Sequence, residues 1–111
     1  MIKQAVIAMG AVLASSVCAD AGKYRIFGPG ASSCATWLSG NKARGDVWIT
    51  GAWTMLDLWR SKATPDRADV GHSTDALGIL GEVEKLCREN PSLGLAEATV
   101  RVFETLRQEG R

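Results

Sequence analysis

One short stretch of this 111-residue chain contains residue types that could together carry out hydrolysis, namely Gly71-His72-Ser73-Thr74-Asp75. In a Ser-His-Asp triad the histidine stands between the nucleophile and the carboxylate that orients it, and the three residues come from separate parts of the fold. Neighbouring residues in one loop do not face each other in this way. We therefore expect His72 to be a loop residue followed by a helix cap, and we predict that the protein is not an enzyme.

The same region offers side chains that could be drawn as a metal site, since Asp66, Asp69 and Asp75 surround His72 in the sequence. Their spacing matches neither a calcium-binding loop nor the Cys and His spacings of zinc sites. His72 is the only histidine, and the chain has no Cys-x-x-Cys motif. The sequence therefore predicts neither a metal ion nor another cofactor.

The first 21 residues have the three parts of a secretory signal peptide. Lys3 supplies a positive charge, residues 5–17 carry no charge, and the small residues of Ala19-Asp20-Ala21 follow. The uncharged part is much shorter than the roughly 20 apolar residues of a membrane span. We expect cleavage after Ala21 or Ala19, which leaves a single domain over residues 22–111 with no membrane anchor. That domain would work in the periplasm, or outside the cell in an organism with one membrane.

Export decides how the three cysteines are interpreted. Cys18 would leave with the signal peptide; the alternative, a lipoprotein cleaved just before Cys18, fits poorly because Val17 precedes it. Cys34 and Cys87 then remain as an even pair in an exported domain of fewer than 100 residues. Such a pair predicts one structural disulfide. A domain of this size has a small core, so a covalent link would contribute much of its stability.

Charge excludes some classes of partner. The whole chain has 13 Lys and Arg against 12 Asp and Glu, and the two signs are interspersed without a basic block. Nucleic-acid and anionic-membrane binding normally need such a block. We therefore expect a protein partner or unfolded protein clients.

Apolar residues recur at helical spacing through most of the chain, and no useful length alternates with period two. An extended lead-in is expected over residues 22–30. A short helix capped by Ser32 or Ser33 would carry Cys34, Trp37 and Leu38. Asp46, then Ser73 or Thr74, and finally Gly94 would open the other three helices, which cover residues 47–60, 75–89 and 95–107. The predicted fold class is all-α, a small bundle of about four helices with one disulfide.

All four tryptophans lie between residues 37 and 59, around the second predicted helix. Trp48 and Trp59 with Met55 are expected to form its core face. Ile49 and Trp53, together with Trp37 from the preceding helix, would be surplus to that face. Either the helix is buried nearly all round or the surplus is a contact patch. The candidate interface is Ile49, Trp53 and Trp48.

These features resemble the HdeA superfamily of small periplasmic acid-stress chaperones. The likeness rests on Cys34-Ala35-Thr36-Trp37-Leu38, on Trp48-Ile49-Thr50-Gly51, on Leu86-Cys87-Arg88-Glu89-Asn90-Pro91 and on a final helix over residues 95–107. It spans most of the chain from Cys34 to Leu106. The resemblance implies that Cys34 and Cys87 are the family disulfide. It also implies a dimer interface around Trp48 and Trp53 that becomes exposed to clients in acid.

Acid-triggered exposure is physically reasonable for this composition. Below about pH 3 most carboxylates are protonated, whereas Lys and Arg stay charged, so a near-neutral domain becomes cationic and repels itself. The superfamily also contains immunity proteins against type VI amidase effectors. Two functions therefore stay open: an HdeA-like acid-stress chaperone, or a dedicated binding protein such as an effector immunity protein or an accessory of an envelope or secretion machine. A homodimer is compatible with both.

Overall fold

The computed structural model describes residues 24–65 and 67–111, which form four α-helices and contain no β-strand. A short 3-10 helix, Gly28–Ala31, precedes them. The helices are α1 Cys34–Gly40, α2 Lys42–Ala63, α3 Ala76–Glu89 and α4 Leu95–Gln108. The all-α fold of about four helices is thus confirmed. The predicted signal peptide over residues 1–21 lies outside the described residues.

The starts of α1 and α4 agree with the sequence prediction, and the start of α3 differs by one residue. The Ser33 side chain accepts a hydrogen bond from the Thr36 amide at 3.2 Å and caps α1, and Gly94 stands at the start of α4. The cap of α3 is Asp75, not Ser73 or Thr74. Its backbone is extended and its carboxylate accepts from the Gly78 amide at 2.9 Å. Asx residues are among the strongest caps, so the helix begins one residue later than predicted.

Helix α2 is longer than predicted, because Asp46 is not its cap. The Asp46 carboxylate accepts from Trp37 Nε1 and from Lys42 Nζ, both at 3.0 Å, one turn inside the helix. Gly45 lies against the Trp37 indole, where a Cβ would overlap the ring. Residues 42–45, which lie before the predicted start of this helix, are therefore helical and pack on α1. At the other end α2 continues to Ala63, beyond the predicted end at residue 60.

The core lies where one face of α2 meets α1, α3 and α4. Trp53 is central, because its ring packs edge-on against Phe103 at 5.1 Å between centroids and its Nε1 donates to the Val70 carbonyl at 2.9 Å. The buried apolar side chains of this core are Cys34, Trp37, Ile49, Trp53, Val70, Val83, Cys87, Leu95, Ala98, Val102, Phe103 and Leu106.

The predicted disulfide is present and joins Cys34 to Cys87, both fully buried. It links the first turn of α1 to the last turn of α3. Backbone hydrogen bonds continue the same attachment, from the Cys34 amide to the Leu93 carbonyl at 2.7 Å and from the Leu95 amide to the Ser32 carbonyl at 2.8 Å. The start of α1 is therefore fixed to the α3–α4 turn by covalent and hydrogen bonds together.

The lead-in crosses the N-terminal half of α2. Residues 24–27 have no regular structure, and Trp48 Nε1 donates to the Phe27 carbonyl at 2.9 Å. The Trp48 ring also fills the space above Gly30, where a Cβ would overlap it. Within residues 24–65 and 67–111, no helix combines the length and apolar character needed to cross a membrane.

Candidate protein-binding surface

The structure corrects the predicted interface, because two of its three residues are inside the protein. Ile49 is fully buried and Trp53 is 4% exposed. Their side chains pack in the core and the Trp53 indole donor is already satisfied by Val70. Neither is available to a partner in the folded chain. Trp48, the third residue, is half-buried beneath the lead-in.

The prediction of the core face of α2 is also wrong, because two of its residues lie on the surface. Trp59 is 65% exposed and Met55 is half exposed, although both were expected inside. Trp37 is buried and belongs to the core, so it is not part of a contact patch. The core and surface sides of α2 are therefore nearly the reverse of the prediction.

The exposed side of α2 is largely apolar. Val47, Met55, Leu58 and Trp59 are between 47% and 73% exposed. Met55 follows Val47 by eight residues, and Leu58 and Trp59 follow Met55 by three and four, so all four lie along one side of the helix. Gly51 lies in the middle of this row, with nothing within 4 Å of the place a Cβ would occupy. We call these five residues the outer face of α2.

Such a surface is unusual for a small folded domain. Single exposed apolar residues are common, but contiguous apolar patches mark sites that bind other molecules. Tryptophan is also enriched among the residues that dominate binding energy at interfaces. Gly51, which has no side chain, leaves a shallow gap in this surface.

Positive charge borders both ends of the outer face. Arg44 lies one turn before Val47, and Lys62 lies one turn after Leu58. Both side chains are exposed. Lys62 Nζ stands 5.4 Å from the centroid of the Trp59 ring, a cation–π contact at the edge of the apolar row. The other four ionisable residues of α2 are half-buried, namely Lys42, Asp46, Asp57 and Arg60.

An apolar groove continues from the N-terminal end of the outer face. It has a volume of about 670 Å³ and lies between the lead-in, Trp48 and α4. Its apolar lining includes the exposed side chains of Tyr24, Phe27 and Val100. Trp48 lines this groove and also contributes to the surface around Val47, so the two apolar regions are adjacent.

Of the residues that suggested hydrolysis or metal binding, Asp69, His72 and Asp75 line a cleft of about 290 Å³ on the other side of α2, whereas Ser73 does not. Their polar groups serve the backbone. His72 Nδ1 bonds to the Asp69 carbonyl at 2.8 Å, and Asp75 caps α3. Asp66 lies outside the described residues. Among the residues that the structure describes, no three His, Cys, Asp or Glu side chains are grouped as metal ligands.

Asp57 is a further carboxyl that lines this cleft. Burial raises its pKa, the hydrogen bond from the Val70 amide at 2.9 Å opposes that rise, and the negative charge of Asp69 adds to it. The bond to Val70 positions the carbonyl that receives the Trp53 indole. Asp57 thus supports the core from beneath the loop that precedes α3.

A second set of charges joins α2 to α3. Glu84 accepts from Arg88 Nη2 at 2.5 Å, and Lys42 Nζ lies 3.9 Å from its other oxygen. The hydrogen bond from Arg88 lowers the pKa of Glu84, and the charges of Lys42 and Arg88 act in the same direction. Protonation of Glu84 would therefore weaken a link between two helices.

Comparison with protein-family models, with curated proteins and with solved structures found no significant match to this chain.

Proposed function

We propose that this protein is a small exported helical domain that works by contact with another protein, through the outer face of α2. The observation that carries the proposal is the exposure of Val47, Met55, Leu58 and Trp59 in the folded chain, beside a core that is complete without them. A surface that is apolar in the folded state favours a dedicated binding protein, such as an effector immunity protein or an accessory of an envelope machine.

The energetics support an interface at this place. Fully burying a large apolar side chain from an exposed position contributes about 1.5–3 kcal/mol before the costs of association. The four on this face are 47–73% exposed, so each can contribute a part of that amount. They project from one rigid helix that is anchored in the core through Ile49 and Trp53, so little backbone order is lost on binding. The gap at Gly51 gives a partner side chain a place to enter.

Export remains part of the proposal. It rests on the signal-peptide pattern of residues 1–21, with cleavage after Ala19 or Ala21. A disulfide between Cys34 and Cys87 is compatible with an oxidising compartment.

Site-specific photo-crosslinking tests the binding surface directly. A crosslinking amino acid at position 58 should capture a discrete protein adduct in the cell envelope, and Trp59→Ala should reduce its yield at least threefold by removing an anchor. Position 77 is the matched control, because Leu77 is 78% exposed but lies on α3. Equal adducts from both positions, or none from position 58, would contradict the proposal. An adduct between two copies of the chain would identify a homodimer.

A second candidate function, an HdeA-like acid-stress chaperone, is favoured by the ion pairs of Glu84. A carboxylate with a lowered pKa stabilises the folded state above its unfolded value of about 4.5, and this stabilisation is lost as the pH falls through the folded pKa. The contact of Glu84 with Lys42 of α2, 3.9 Å long, is lost together with the bond to Arg88 when Glu84 is protonated at a pH below about 4.5. Asp57 acts in the opposite direction. Its pKa is raised in the folded state, so protonation of its carboxyl at low pH stabilises the folded protein relative to the unfolded chain.

If the chaperone function is correct, acidification to about pH 2–3 should expose apolar surface of this protein, measured by the binding of a fluorescent dye. At the same pH the protein should suppress the aggregation of an unrelated acid-labile enzyme. Glu84→Gln should shift the onset of both effects to higher pH, since the pair with Arg88 is already broken. The stability change at neutral pH should be small, on the order of 0.5 kcal/mol. Asp57→Asn is the control and should not shift the onset upward. Acid unfolding without any protection of the enzyme would exclude the chaperone.

A further inference from the structure

We infer that the outer face of α2 binds a helical protein segment whose apolar stripe has carboxylates near both ends. This inference rests on the proposed binding function and adds the chemistry of the partner. It follows from the charges that border the row from Val47 to Trp59, and from the shape of that row.

The partner is a helix because the receiving surface is one side of a single long helix. Helix α2 has 22 residues, which corresponds to a length of roughly 33 Å at 1.5 Å per residue. A second helix lying along it can place side chains at i, i+3, i+4 and i+7 against the row, the usual anchors of helix recognition. Gly51 leaves the gap into which one of those side chains fits.

The charge of the partner follows from Arg44 and Lys62. These two are the exposed ionisable residues of α2, they stand at opposite ends of the apolar row, and they have the same sign. Neither takes part in the ion pairs between described residues. A partner that places carboxylates near both ends gains two favourable contacts, and one with basic ends meets two repulsive contacts.

The same charges make a second copy of the chain a poor occupant. Two α2 helices can bury the whole row only if they run nearly along each other. A parallel pair brings Arg44 beside Arg44, and an antiparallel pair brings Arg44 beside Lys62. Both arrangements place like charges together at each end of the interface, which selects against self-association.

A membrane surface is also disfavoured. Helices that lie in the membrane interface carry many Lys and Arg residues on the side opposite their apolar face. The side of α2 opposite the outer face contains Ile49 and Trp53 and is buried in the core. Two cations on a folded domain give little electrostatic attraction to anionic lipid.

The test uses two synthetic peptides of about 18 residues that share one leucine stripe at helical spacing. One has two glutamates at each end, and the other has lysines at those positions. In low salt the acidic-ended peptide should bind the folded protein roughly tenfold more tightly, and the preference should shrink in 0.5 M salt because exposed charges are screened. Fluorescence anisotropy of the labelled peptides measures both affinities.

Three variants make the result specific. Arg44→Glu combined with Lys62→Glu should reverse the order of the two peptides. Leu58→Glu should abolish the binding of both, whereas Leu77→Glu should change neither. Circular dichroism confirms that each variant is folded.

Results that differ from these expectations contradict either the acidic partner or the binding surface itself. Equal binding of the two peptides, still lost in Leu58→Glu, overturns the acidic partner and leaves the binding surface intact. No binding of either peptide overturns the inference, and if crosslinking at position 58 also fails, it overturns the proposed function. If sedimentation shows that the protein is a dimer and Leu58→Glu dissociates it, the outer face of α2 binds a second copy of the chain. If the protein binds phosphatidylglycerol vesicles and the Arg44→Glu, Lys62→Glu variant does not, the outer face of α2 binds a membrane surface.

Discussion

Replacing Trp53 by alanine should destabilise the folded protein by roughly 3–5 kcal/mol, the usual cost of removing a buried Trp or Phe side chain. Trp53 is 4% exposed, packs edge-on against Phe103, and bonds to the Val70 carbonyl. The substitution leaves a cavity between α2 and α4 and removes the anchor of the loop before α3. In a domain of this size such a loss is a large part of the total stability, so the variant should be partly or fully unfolded at 37 °C.

Urea denaturation followed by far-ultraviolet circular dichroism measures this effect. Trp59→Ala is the matched control, because it removes the same side chain from the same helix at a position that is 65% exposed. Its stability should stay within about 0.5 kcal/mol of wild type, as for most surface substitutions. Trp53→Phe should recover part of the loss through contact with Phe103. Similar stabilities of Trp53→Ala and Trp59→Ala would contradict the assignment of core and outer face.

Loss of the disulfide is the second large effect that we expect. Cys87→Ser should lower the free energy of unfolding by roughly 2–5 kcal/mol, the range found when a native disulfide is removed from a small secreted domain. The two cysteines are 53 residues apart, and both sulfurs are fully buried. The link therefore closes a long loop that contains α2 and most of α3. Without it, α1 is attached through its hydrogen bonds to the α3–α4 turn.

Mass spectrometry and denaturation check this prediction together. Protein taken from the cell envelope should have the mass of a chain that begins at Gly22 or Asp20, less two hydrogens that a reductant restores. Cys34→Ser and the double serine variant should match Cys87→Ser in stability, since each removes the same bond. Free thiols in the native protein, or a chain that still begins at Met1, would refute the disulfide or the export on which its prediction rested.

The sequence was sufficient for the number and order of the helices and for the pairing of the cysteines. Helical spacing is a local property, as are the caps at Ser33 and Gly94, so these could be predicted from neighbouring residues. The cap at Asp75 is also local and differs from the prediction by one residue, whereas the earlier start of α2 was missed for a tertiary reason. Asp46 looked like a helix start, but the Trp37 indole and Lys42 bind its carboxylate inside the helix.

The sequence determined that α2 has more apolar side chains than one face can bury, and the tertiary structure alone decided which of them are inside. Apolar residues surround much of this helix, so its periodicity fits a core face centred on Trp59 as well as one centred on Trp53. The choice depends on partners distant in sequence, Phe103 and the Val70 carbonyl, which satisfy the ring and the donor of Trp53. Burial is a property of the assembled fold, and for this reason the outer face of α2 could not be identified from local spacing.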